Sequence, residues 1–143
     1  MLIFYKELTL DEGFRMLNVA REKRNIDGAK VSAPSGIALW QAYRSHGHAI
    51  KCWACDAVAD RFVVKHHRND CNKPPVVELY GKSEGKLVMM TQDHIIPKSL
   101  GGINVIANLR PACEPCNNSR KSKMDDNDTN FMNSNPHLRR FTV

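Results

Sequence analysis

The chain has 143 residues, enough for one domain with a small appendage and too few for a multidomain assembly. Its 42% hydrophobic and 25% charged residues exclude wholesale disorder, and no run approaches the roughly 18 consecutive apolar residues of a membrane span. Lysine and arginine outnumber the acids 21 to 15, so the pI near 9.2 favours a polyanionic partner, and residues 51–123 hold most of the excess, with 12 basic against 7 acidic residues.

In chain order, the apolar stripe of Leu10, Phe14 and Leu17, with Arg21, Lys23 and Arg24 toward its end, predicts a helix over residues 7–24. An acid as early as Glu7 argues against a secretory signal, so a cytoplasmic location is expected. Gly28, Pro34 and Gly36 mark Asn25 to Gly36 as a loop. A second helix is expected over Ile37 to Ser45, burying Leu39, Trp40 and Tyr43 and stopping at Gly47. Residues 1–48 thus read as a helical N-terminal segment that supports the rest of the chain.

Residues 49–123 have a different texture. Arg61 to Lys65 reads as a strand, and Pro74-Pro75 breaks the chain. Val76 to Tyr80 and Lys86 to Thr91 then flank Gly81-Lys82-Ser83-Glu84-Gly85, the pattern of a β-hairpin. Asp93 and His94 come just after its second strand. Gly101-Gly102 marks a turn, Asn104 to Leu109 a connecting loop, and Cys116 to Lys123 a short helix. Residues 124–143 form a polar tail whose order depends on docking Phe131, Met132 or Phe141.

Five cysteines in a cytoplasmic chain do not suggest disulfides, since one would be left over and the compartment keeps thiols reduced. Cys52-Trp53-Ala54-Cys55 and Cys113-Glu114-Pro115-Cys116 are two C-x-x-C pairs, each able to aim two sulfurs at one point. Together they predict a closed, structural Cys₄ Zn²⁺ site that clamps the start of the β region to the short helix. His46 and His48 beside the first knuckle rank below the cysteines as ligands. His66, His67 and Cys71 read as strand and loop residues rather than a second metal site.

The densest signal is Thr91-Gln92-Asp93-His94-Ile95-Ile96-Pro97-Lys98-Ser99-Leu100-Gly101-Gly102 with Asn108-Leu109-Arg110-Pro111-Ala112-Cys113-Glu114-Pro115-Cys116-Asn117-Asn118-Ser119-Arg120-Lys121. This string closely resembles the HNH endonuclease family, most strongly over residues 91–121. The resemblance implies an α+β fold with a ββα-metal core stabilised by the Cys₄ zinc. By position, the three letters of the motif fall on His94, Asn108 and Asn117, with Asp93 as the accompanying acid.

The implied roles also have a physical reading. A neutral imidazole at His94 can take a proton from water. Asp93 and Asn117 supply hard oxygens suited to Mg²⁺ or Mn²⁺, and Asn at the last position, where many relatives carry His, shifts the preference away from Ni²⁺ or Co²⁺. Asn108 pins the loop to the motif. Lys98, Arg110, Arg120, Lys121 and Lys123 are expected to hold phosphates around the metal.

The activity implied is hydrolysis of DNA phosphodiesters to 5′-phosphate products, with a phage or bacterial origin and, if phage-encoded, action in the host cytoplasm. One centre cuts one strand per visit, so the protein is expected as a nicking monomer or a homodimer that cuts both strands. Two other classes remain in view: a zinc module that binds nucleic acid without cutting it, against which the intact Asp93, His94 and Asn117 speak, and an interaction protein, which no residue selects.

Overall fold

The computed structural model describes residues 2–67 and 73–120. The apolar, aromatic start of the chain forms strand β1, Leu2–Thr9, rather than the beginning of a helix. The helix predicted over residues 7–24 is shorter, α1 at Leu10–Leu17, with a separate 3₁₀ turn at Arg21–Lys23. Its start is fixed by a capping box: the Glu12 N–H donates to Thr9 Oγ1 (3.1 Å) and the Thr9 N–H donates to Glu12 Oε1 (3.2 Å). Thr9 is therefore the last residue that can stay extended.

The expected loop from Asn25 contains a small hairpin, β2 (Asn25–Ile26) and β3 (Ala29–Lys30), turning on Asp27 and Gly28 at φ of 51° and 84°. Two consecutive positive φ values define the tight turn that matches strand twist. Helix α2, Ile37–Ser45, lies where the apolar stripe put it, with Leu39 and Trp40 buried.

The remaining strands are β4 (Val58–His67), β5 (Val76–Ser83), β6 (Lys86–His94) and β7 (Leu109–Cys113). The hairpin between β5 and β6 has the predicted place, turning on Glu84 and Gly85 at positive φ. Strand β7 begins at Leu109, the last residue of the expected loop, and leads straight into α3, Glu114–Arg120, which starts two residues before the predicted helix. Lys121, Lys123 and the tail lie outside the described residues, as does Cys71.

Five strands form one sheet in the order β1-β4-β5-β6-β7, each neighbour antiparallel. The N-terminal segment thus contributes a strand as well as helices. Helix α1 packs on β4 through Phe14, whose ring meets Phe62 edge to face at 5.1 Å. Trp40, Leu17, Val64 and Leu79 fill the core around them. No helix among the described residues is long and apolar enough to cross a membrane.

The succession β6, β7, α3 is strand, strand, helix, and its register places functional residues opposite one another: Asp93 faces Arg110 and His94 faces Leu109. The connection between the two strands is folded back on Asn108. Its Nδ2 donates to the carbonyls of Ile96 (3.1 Å) and Ile103 (3.0 Å), and its Oδ1 accepts from the Ile96 N–H (2.8 Å). Gly102 passes so close to this knot that a Cβ there would sit 1.7 Å from the Ile96 carbonyl oxygen, which no side chain tolerates.

Asn108 is buried, so removing its amide strands the Ile96 N–H away from water. Asn108→Ala should cost about 1–3 kcal/mol, read as a lower urea midpoint. An unchanged midpoint would mean that the loop is held by other contacts.

Candidate active site and four-cysteine cluster

The two C-x-x-C pairs converge. Cys52 and Cys55 lie in the turn before β4, Cys113 ends β7 and Cys116 sits in α3; all four are free thiols whose sulfurs lie within 4.8 Å of one another. The Cys55 and Cys113 sulfurs are 3.6 Å apart. A tetrahedral zinc with bonds of about 2.3 Å has sulfur–sulfur edges of about 3.8 Å, so the cluster fits Zn²⁺. Main-chain N–H groups of Ala54 and Ala57 point at Cys52 Sγ (3.4 Å) and Cys55 Sγ (3.5 Å), which favours thiolate.

Without metal the four thiols cannot all ionise. Burial pushes Cys113 and Cys116 above the ordinary thiol value, and negative charge on the neighbouring Cys52 adds to this. At Cys55 burial acts upward too, but the Ala57 N–H and the neighbouring thiols outweigh it and hold the group down. Among the described residues this is the one group of three or more His, Cys, Asp or Glu side chains able to share a metal. His46 is engaged elsewhere, its Nδ1 against the Ala42 carbonyl (2.9 Å), and His66 lies on β4.

Beside the cluster, Asp93 is 3% exposed and held by two arginines. Arg110 Nε donates to Asp93 Oδ2 at 2.9 Å, and Arg120 Nη1 donates to Asp93 Oδ1 at 3.0 Å. Arg110 is wholly buried, and its guanidinium lies 3.5 Å from the centre of the Trp53 ring in the first knuckle. Arg120 also donates to the carbonyls of His94 (2.8 Å) and Ile95 (2.6 Å), closing α3 onto the end of β6.

Arg110 and Arg120, expected to hold phosphates, are both bonded to Asp93 here. The register that sets Arg110 opposite Asp93 turns it into the core, where a carboxylate and an aromatic face meet it. Lys98 is exposed, on the 3₁₀ turn Lys98–Leu100.

His94 ends β6, half-buried, with Nε2 2.6 Å from Asn104 Oδ1. That amide oxygen selects the tautomer with its proton on Nε2 and leaves the Nδ1 lone pair for a proton from elsewhere. Asn117, on α3, directs its amide N–H groups at Thr91 Oγ1 (2.9 Å) and the Gln92 carbonyl (3.4 Å). As donors, a carboxylate and an amide oxygen on adjoining elements suit a hard divalent cation, although both Asp93 oxygens already accept guanidinium N–H groups. Neither the role of Asn104 nor the Trp53–Arg110 stack is apparent from the sequence. Arg110 leaves one legible trace, a lone charge in the otherwise apolar run Leu109-Arg110-Pro111-Ala112-Cys113.

Asp93 and His94 at the end of β6, Asn108 just before β7 and Asn117 on α3 thus share one strand–strand–helix unit with Cys113 on β7 and Cys116 on α3. No curated protein and no solved structure matches the chain. Residues 81–132 match a family model described as HNH endonuclease, and the match contains all six of these residues. This segment of the chain is similar to HNH endonuclease domains, and it contains two of the four cysteines of a cluster that fits zinc.

Proposed function

We propose that the protein is a zinc-stabilised, metal-dependent endonuclease that hydrolyses DNA phosphodiester bonds. The observation that carries this reading is the convergence of Asp93, His94 and Asn117 on one strand–helix pair within the family match. His94 is the general base: with Nε2 against Asn104, its Nδ1 accepts the proton of the attacking water. Asp93 and Asn117 would hold Mg²⁺ or Mn²⁺, whose chemistry is to neutralise charge on the scissile phosphate. Asn108 orients the loop that carries Asn104. Lys98, with Lys121 and Lys123, takes the flanking phosphates, a contact that positions the backbone without reading sequence.

The decisive experiment incubates the protein with supercoiled plasmid in Mg²⁺ or EDTA. Nicking or linearisation in Mg²⁺ alone is expected. His94→Ala should slow cleavage by about 10²–10⁴-fold with fold and DNA affinity retained. Asn104→Ala should slow it by about five- to tenfold, the worth of one orienting hydrogen bond. Wild-type cleavage by purified His94→Ala protein would assign the base to another residue, and DNA binding without any cleavage would favour a binding module.

The zinc reading is tested by metal analysis, with one tightly held Zn²⁺ per chain expected. Cys52→Ser or Cys113→Ser should lower the melting temperature or prevent soluble expression. Because Cys113 and Cys116 sit above the ordinary thiol value without metal, both are protonated near neutral pH and zinc binding must release their protons. Calorimetry in two buffers of different ionisation enthalpy should find about two or more protons released, and zinc affinity should fall as pH falls. Equal stability with and without metal would defeat the reading.

A further inference from the structure

Several basic side chains of the fold are neutralised within it: Lys6 meets Asp27, Arg44 meets Asp11, and Arg61 meets Glu7 and Asp60. Four cations of the N-terminal segment are not. Arg21 and Lys23 on the 3₁₀ turn, Arg24 just after it and Lys30 at the end of β3 have no carboxylate partner among the described residues. The Arg24 Nε is moreover shut off from water with no acceptor, a state that is costly for a donor on a charged group.

Arg21 and Lys30 line an open pocket of about 360 Å³ together with Glu22, Val31, Ser32 and Pro74. Glu22 forms no ion pair among the described residues, so the lining keeps an excess of positive charge, to which Arg24 adds. Ser32 commits its main chain to β5, its N–H donating to the Pro75 carbonyl (2.8 Å) and its carbonyl accepting from the Val77 N–H (3.0 Å). Its hydroxyl is left as a donor for the pocket.

The topology sets this pocket at the catalytic end of the sheet. Strands β5 and β6 are joined next to the Ser83–Lys86 pair, so the start of β5 and the end of β6 lie together at the other end. Val76 pairs with Lys65 of β4 on one edge, so its bridge to Ser32 takes the other edge, the one along which β6 runs. The pocket and His94 therefore share one end of the sheet.

We propose that this pocket is a second backbone-phosphate site for DNA, in which Arg21 and Lys30 pair with phosphate oxygens and the Ser32 hydroxyl donates to one. The N-terminal segment then holds the duplex in position beside His94 without reading its sequence. These residues lie outside the family match at residues 81–132. The proposal rests on the reading of the chain as a DNA-cutting protein.

The test measures binding of a short fluorescent duplex to the full-length, zinc-loaded protein by anisotropy, across a salt series and without added divalent metal. The Arg21→Gln/Lys30→Gln double variant should lower the slope of log K against log salt by about two, with the same loss on unrelated sequences. Glu22→Gln should tighten binding. Lys82→Gln/Lys86→Gln removes the same charge from exposed residues at the opposite end of the sheet and should keep the wild-type slope. An unchanged slope in the first double variant, an equal drop in the second, or a Glu22→Gln protein that binds no more tightly would overturn the pocket and leave the nuclease reading in place. If the wild type neither binds nor cuts DNA, both fall together.

Discussion

The structure around the candidate site depends on one buried ion pair, Asp93 with Arg110 across strands β6 and β7. Both groups are withdrawn from water, a state that is costly unless the remaining donors and acceptors find partners of matching geometry. The surroundings meet much of that demand. Trp53 offers its ring face to the guanidinium of Arg110, Arg120 takes the second carboxylate oxygen, and further N–H groups of Arg120 close on the carbonyls at the end of β6. The first knuckle, the last strand and the last helix are therefore joined through charge as well as through sulfur.

The cysteine cluster and this ion pair work on the same three elements from opposite ends. Cys113 and Asp93 lie on paired strands, at Met90–Cys113 and Asp93–Arg110 respectively, so the cysteine cluster at one end and the carboxylate at the other bracket the same stretch of the β6–β7 ladder. Zinc in the cluster would add to what burial of the largely aliphatic core supplies, because metal binding is coupled to folding. The N-terminal region adds the rest: β1 extends the sheet, and α1 and α2 cover it with Phe14, Leu17 and Trp40.

Much of this is legible in the sequence where local chemistry decides the outcome. Helix α2 follows from its apolar spacing, the β5–β6 hairpin from Glu84-Gly85 between two apolar runs, and the cysteine cluster from its two identical spacings. What escapes is decided by distant partners. Residues 7–9 fit a helical stripe, but the aromatic run before them finds an edge of β4 to pair with, and Thr9 caps the helix after it. Arg110 and Arg120 look like surface cations until the register brings Asp93 opposite one and α3 folds the other back onto the strand. A basic residue near a candidate phosphate site reads as a phosphate ligand; only pairing across the sheet shows that its counter-charge is already inside the protein.

The two halves of the site are held by different forces, and this separates their tasks. His94 is oriented by neutral amides: Asn104 meets its ring, and Asn108 fixes the loop from which Asn104 projects. Such contacts carry no net charge, and the one to Asn104 holds the imidazole in one tautomer. Asp93 is held by charge in a buried setting where salt screens little. Adjacent residues of one strand are thus held in different ways, His94 by neutral hydrogen bonds and Asp93 by charge. The two halves nevertheless share one group, because the Arg120 Nη1 that meets Asp93 Oδ1 also donates to the His94 carbonyl, so the charge that holds the acid also fixes the main chain that carries the imidazole.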